Sequence, residues 1–205
     1  MSSRDEMLSK LRGVDRRPLP LPDVPTFDRS LRPSTEEFRA NLARMGGKLV
    51  DLPAGMNLDQ WIHERFPDAR VVCSAVPEVA GTRAIADVVQ PTELADVDVG
   101  VVRAVFAVAE TGSIWLSEAQ YRVNALGYLP QHLVALLDPE DIVGNLHHAY
   151  RRHEFMTANY SVLMSGPSAT ADIEGVLIRG AQGVRSLSIV LVPTRSLCSS
   201  RNCGS

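Results

Sequence analysis

Short apolar runs alternate along this chain with segments of helical period, and that alternation restricts the fold more than any other feature. Val71-Val72-Cys73 and residues 69–74 around it, residues 132–137 and residues 186–192 are contiguous and apolar, as strands buried in a layered sheet are. A longer β-branched run covers residues 97–109, and residues 87–89 read as one more short strand. Thr111-Gly112-Ser113 breaks the long run before Ile114-Trp115-Leu116 resumes it, which predicts a hairpin or bulged turn. Between these runs lie amphipathic stretches. Ser34-Thr35-Glu36-Glu37 opens a helix with Phe38, Leu42 and Met45 on one face, ended by Gly46-Gly47, and a short strand follows at residues 48–51. Residues 58–66 read as a second helix with Trp61 and Ile62 turned inward. Asp138-Pro139-Glu140-Asp141 supplies a cap, a first-turn proline and early acids, and predicts a helix running through Ile142, Leu146 and Tyr150 to Phe155. The fold class is α/β, a layered open sheet with helices, and no internal repeat is visible.

The ends differ from the middle. Residues 1–12 read as a short helix, and Pro18, Pro20, Pro22, Pro25 and Pro33 then forbid one. That segment either crosses the domain surface or reaches towards a partner subunit, since composition fixes stiffness and not destination. The predicted division is an N-terminal helix and proline-rich extension at 1–33, an α/β domain at 34–195, and a flexible Ser- and Cys-bearing tail at 196–205.

Composition excludes several partners. The formal net charge is −3 and aromatic residues make up 5%, which argues against a nucleic-acid surface. No run approaches the roughly eighteen apolar residues of a membrane span, and the polar N-terminus lacks a signal core. The expectation is a soluble, cytoplasmic protein. The three cysteines, Cys73, Cys198 and Cys203, are too few for a disulfide framework or a cluster site. His147, His148 and His153 lack the i,i+4 spacing of paired helical ligands and sit beside Arg151 and Arg152, so no metal is expected on this chain.

Two stretches point to chemistry. In Tyr160-Ser-Val-Leu-Met-Ser165-Gly166-Pro167-Ser168-Ala-Thr170-Ala-Asp172-Ile-Glu174, Val162, Leu163 and Met164 form a strand and Gly166-Pro167 stops it. Ser168 or Thr170 then caps a helix with acids in its first turn. Such a junction either binds a ligand with backbone N–H groups at the carboxyl end of a sheet or is an ordinary strand-to-helix connection. Glu110 ends the run Val105-Phe-Ala-Val-Ala109. There it is either a partly desolvated carboxylate suited to acid/base or nucleophilic work, or the cap of the neighbouring turn. Gln131 and His132 stand at the mouth of a strand, where the imidazole serves a site or a structural hydrogen bond. No phosphate-cradling glycine loop and no nucleophile elbow is present.

Ala109-Glu110-Thr111-Gly112-Ser113, Leu129-Pro130-Gln131-His132 and Ser165-Gly166-Pro167-Ser168-Ala169-Thr170-Ala171-Asp172-Ile173-Glu174 occur in this order, followed by Gly180-Ala-Gln-Gly183. Together they resemble the lactate-utilisation (LUD) domain family, and within it the lactate utilisation protein C group, strongly over residues 87–192. Where the family pattern continues G-x-H-G-P, this chain has Gln182 and Val184 in place of the histidine and proline. The resemblance implies a fold similar to the ribose-phosphate isomerase, glucosamine-phosphate deaminase and CoA-transferase group, with ligands over the carboxyl ends of strands. It also implies a subunit of a system oxidising L-lactate to pyruvate, with iron–sulfur clusters on partner proteins, no cofactor on this chain, and a binding or organising part for it. The implied site comprises Glu110 as a catalytic candidate, with Thr111, Gly112, Gln131, His132, Gly166, Pro167, Ser168, Thr170 and Asp172 binding a small carboxylate or phosphorylated ligand. The alternatives are a stand-alone CoA-transferase-like or sugar-phosphate-isomerase-like enzyme using Glu110, or a module sensing a small carboxylate. A homo-oligomer stays open.

Overall fold

A computed structural model describes residues 2–13, 20, 22–27, 34–171, 177–180 and 182–194. In chain order the elements are α1 (Ser3–Arg12), α2 (Thr35–Arg44), β1 (Lys48–Val50), α3 (Leu58–Arg65), β2 (Val72–Ser74), β3 (Arg83–Ala84), β4 (Val99–Arg103), β5 (Phe106–Val108), β6 (Ser113–Ser117), α4 (Glu118–Tyr121), β7 (His132–Leu137), β8 (Ile142–Val143), α5 (Leu146–Tyr150), α6 (His153–Thr157), β9 (Ser161–Met164), β10 (Ala169–Ala171), β11 (Leu177–Arg179) and β12 (Ser186–Leu191). Six strands form a wholly parallel sheet in the order β1-β12-β7-β4-β2-β3. A second sheet runs β8-β5-β6-β9, and β10 pairs with β11 as a separate antiparallel ribbon.

The two faces of the parallel sheet are set by the two-residue strand period. In β7, Val134 and Leu136 face α3, where they pack with Val99 and Val101 of β4 and with Trp61, Ile62 and Phe66. Leu133, Ala135 and Leu137 face the other way, onto Ala107, Ile114 and Leu116 of the second sheet and Phe38 and Leu42 of α2. The second sheet buries its outer face, Phe106, Val108 and Trp115, against Ala149, Leu146 and Phe155 of α5 and α6. The layers are therefore helix, parallel sheet, mixed sheet and helices. Contiguous apolar strands are what a sheet covered on both sides requires.

The chain first passes from the parallel sheet to the mixed sheet between β4 and β5. Ala104 N–H still donates to Leu136 O in the parallel sheet at 2.8 Å, whereas Val105 N–H donates to Trp115 O in the mixed sheet at 3.2 Å. The run read as continuous strand over 97–109 is thus two strands, β4 and β5, in different layers. After β7 the chain makes the same change of layer, and β8 lies parallel to β5.

The structure departs from expectation at four further places. The segment beginning Asp138-Pro139 is not one helix: Pro139–Asp141 is a single 3₁₀ turn, followed by β8 and then by the separate helices α5 and α6. Residues 87–89 are not a strand, since Ile85–Asp87 is a 3₁₀ turn and Val89 stays 80% exposed. Met45 is exposed beyond the end of α2. After Gly166-Pro167 the chain enters β10 rather than a helix, because the Ser and Thr that cap helices also suit turns and strands.

The N-terminal helix α1 forms as read, with a capping box between Ser2 and Asp5, and buries no residue. Of the proline-rich segment, residues 22–27 carry no regular structure but are docked. Asn145 Nδ2 donates to Thr26 O at 2.7 Å, and the Phe27 ring lies 4.9 Å from that of His147. The tail with Cys198 and Cys203 lies outside the described residues.

The β5–β6 hairpin is anchored at its tip. Asn41 Nδ2 donates to Ala109 O and Glu110 O at 2.8 and 3.0 Å, drawing the turn onto α2. Gly112 takes φ +63°, and a Cβ there would stand 2.2 Å from Leu42 N. Gly112→Ala should lower unfolding free energy by about 2 kcal/mol or more, combining left-handed strain with a clash against fixed backbone. Chemical denaturation of the variant checks this, and a loss under roughly 0.5 kcal/mol, the level of an ordinary surface change, would show that the hairpin does not dock on α2.

Candidate functional site

In an open parallel sheet, neighbouring strands whose outgoing connections leave for opposite faces open a crevice at their carboxyl ends. Here that point falls between β2 and β4. The chain leaving β2 passes Val76 and Val79, which pack on the α3 side, while the chain leaving β4 enters the mixed sheet. A cleft of about 340 Å³ lies at this place, with Ala75 to Pro77 on one wall and Arg103 to Val105 on the other. Gln120 and Arg122 from the end of α4, Asp138 and Asp141 beyond β7, and Thr194 beyond β12 complete it.

The groups in the cleft differ in how far they are already committed. Arg103 Nη2 donates to Glu78 Oε1 at 2.6 Å and its Nη1 to Val192 O at 3.3 Å, which fixes the guanidinium at the strand end. The Glu78 side chain is 8% exposed, and its Oε2 has no hydrogen-bond partner among the described residues. Asp138 accepts from Thr194 N–H at 2.8 Å and Glu140 N–H at 3.0 Å. The Thr194 amide, ahead of the Glu140 amide and Arg103, holds its carboxyl below the usual aspartate range. Asp141 faces Arg152 at 3.5 Å, and Arg152 lies over the Phe106 ring at 4.8 Å and pairs with Glu154.

Arg122 is the uncommitted group. It has φ +63° and ψ −49°, a backbone state that costs a side-chain-bearing residue about 1–3 kcal/mol. Its guanidinium is exposed and makes no hydrogen bond or ion pair among the described residues. Gln120 Oε1 accepts from Ser117 N–H and Oγ, leaving its NH₂ without an acceptor among the described residues. Fork-shaped guanidinium donors match a carboxylate in bidentate fashion, and the ionised Asp138 can accept from a hydroxyl beside it. The arrangement suits a small anion carrying a hydroxyl group.

The residues singled out from sequence are not gathered here. Glu110, Thr111 and Gly112 form the hairpin tip against α2 and the start of α5. Glu110 is exposed rather than desolvated, and its Oε2 accepts at 3.2 Å from Leu146 N–H at the start of α5 rather than from the neighbouring turn. Thr111 shares a hydroxyl–hydroxyl hydrogen bond with Ser113. Gly166, with φ +120°, abuts the residue capping the C-terminus of α2, where a Cβ would stand 2.5 Å from Met45 O. Pro167 is buried beside it, and Ser168 exchanges backbone bonds with Val184 and Gly180. Thr170 is exposed in β10, and Asp172 and Glu174 lie outside the described residues.

Gln131 and His132 begin β7 and so stand at the opposite, amino end of the parallel sheet. The structure brings them near Ser168, because Arg185 N–H donates to Gln131 O and Val184 O accepts from Ser168 N–H. Val184 itself is buried in the core, and Gln182 is exposed. Asp138 and Asp141 escaped the sequence reading because cap chemistry accounted for them. Their place one turn beyond a buried strand was the available signal.

Comparison with known proteins gives three similarities. Residues 91–192 match the model of the LUD domain. An uncharacterized protein of Neisseria meningitidis serogroup B is 24% identical over 225 aligned positions, covering 94% of this chain and 94% of that one. A crystal structure of a DUF162 family protein from Deinococcus radiodurans superposes with a TM-score of 0.54 at 18% identity, covering 77% of this chain and 94% of that one. That likeness is one of fold, and it accords with the layered α/β architecture. Among the described residues no helix is long and apolar enough to cross a membrane.

Glu110→Gln tests the hairpin assignment. The amide oxygen can still accept from Leu146 N–H, so removing the charge alone should cost about 1 kcal/mol of stability or less and leave ligand binding in the cleft unchanged. A covalent thioester trapped on Glu110 with acyl-CoA, located by mass spectrometry, would instead make this residue a nucleophile.

Proposed function

We propose, from the LUD-domain match over residues 91–192, that this chain is the ligand-binding or organising component of an L-lactate utilisation system. In this reading the cleft at the β2–β4 crevice takes the small 2-hydroxycarboxylate, with Arg122 and Arg103 on the carboxylate and Asp138 near the hydroxyl. The observation that carries it is the presence of these two guanidiniums at the switch point, both inside the matched stretch. Oxidation of lactate to pyruvate removes two electrons and two protons. The three cysteines of this chain are too few to hold the clusters that would accept those electrons, so iron–sulfur partner proteins are the proposed acceptors. The work of this chain is then to bind and orient the acid and to shield it from bulk water in a partly enclosed cleft.

Isothermal titration of the purified chain with L-lactate, together with lactate-dependent growth of a deletion strain, tests the reading. Arg122→Ala should weaken lactate binding about 10- to 100-fold, the worth of one charged hydrogen-bond pair, while circular dichroism stays unchanged. It should also fail to restore growth on lactate where the parent chain restores it. Growth restored equally by Arg122→Ala, or lactate binding unaffected by it, overturns the assignment of the cleft.

A further inference from the structure

A second cavity, of about 400 Å³, lies at the amino ends of the strands, on the side of the sheet opposite the cleft. Its floor is the start of β4, β7 and β12, where Asp98, His132 and Ser186 stand side by side. Phe66 forms one wall, with its ring stacked on that of His132 at 4.7 Å and an interplanar angle of 27°. Arg65 lies over the same Phe66 ring at 5.4 Å, and Arg185 enters from the segment leading into β12. Among the described residues neither arginine has an ion pair or a side-chain hydrogen bond.

The donors outnumber the acceptors. His132 Nδ1 and Ser186 Oγ are bonded to each other at 2.8 Å, which orients the imidazole and leaves Nε2 without a partner among the described residues. Of the two acids at the cavity, Asp98 is spent on structure, because its Oδ2 accepts from Arg70 N–H at 2.8 Å and Val71 N–H at 2.9 Å. Asp68 is exposed at the rim. Two free guanidiniums, a half-buried imidazole, a hydroxyl and the Gln131 amide face one space, whose net demand is for an anion with several oxygen acceptors.

We propose that this amino-end cavity is a phosphate-binding subsite, taking inorganic phosphate or the phosphate group of a small monoester between Arg65 and Arg185, against His132. A phosphate dianion offers three acceptor oxygens and enough charge to balance both arginines, whereas a single carboxylate leaves one unmatched. The subsite is independent of the carboxyl-end cleft and of what that cleft binds. Burial, then Arg65 and Arg185, presently hold the His132 pKa below its ordinary value, against a weaker upward pull from Asp98. A bound dianion neutralises the arginines and so raises it.

The test uses the full chain, titrated in separate calorimetric experiments with inorganic phosphate, glycerol 3-phosphate and acetate, while NMR follows the His132 Cε1–H shift against pH. Saturable binding of phosphate or glycerol 3-phosphate is expected, at least about tenfold tighter than acetate, with an upward move of the His132 titration when phosphate is present. Equal affinity for phosphate and the monoester marks the free ion as ligand, and a tighter monoester marks an ester. The double change Arg65→Gln and Arg185→Gln should abolish binding, and Arg122→Gln should leave it intact. No saturable binding, binding that survives the double change, or binding lost in Arg122→Gln would overturn the subsite.

Discussion

The structure depends on one change of hydrogen-bond partner along the backbone. Ala104 N–H is still held by the central parallel sheet through Leu136 O, and Val105 N–H is already held by the mixed sheet through Trp115 O. Because the chain leaves β4 towards one face and β2 towards the other, the ends of these strands cannot be closed over by a common connection. The cleft with Arg103, Arg122 and Asp138 follows from that divergence. So does the second apolar layer, since Phe106 and Trp115 must find cover from α5 and α6 once they have left the first sheet.

Two other constraints keep the layers in register. The hairpin between β5 and β6 reaches α2 only because position 112 has no side chain, and Asn41 secures the turn through two carbonyls. Gly166 makes a comparable approach to Met45 O, so α2 is gripped both in its last turn and at its C-terminal cap. Helix α2 in turn buries Phe38 and Leu42 in the core shared by both sheets. A single short helix thus ties the mixed sheet to the edge of the parallel one.

Much of this was legible in the sequence, and the exceptions have physical causes. The run 132–137 reads as a buried strand because both its faces are covered, and it is the centre of the sheet. The helix at Ser34 and the turn at Thr111-Gly112 were equally plain from cap and turn chemistry. The passage between layers at Ala104 was not visible, since apolar residues suit either sheet and nothing in their order marks the change. Asp138 to Asp141 and Ser168 to Thr170 carry the sequence signature of helix starts, yet they form a 3₁₀ turn and a strand, because side chains that cap helices also close turns. The site was hidden for a related reason: Arg122 and Asp138 are ordinary in sequence and become a cleft only when strands far apart in the chain end together. Glu110 shows the converse, a conspicuous acid that the fold leaves in solvent with a backbone amide as partner.

The most direct test of the account is a crystal structure of the full chain soaked with L-lactate. The lactate carboxylate should lie between Arg103 and Arg122 at the β2–β4 crevice, with the hydroxyl towards Asp138. Lactate bound instead at the β5–β6 hairpin beside Glu110, with the crevice empty, would contradict it.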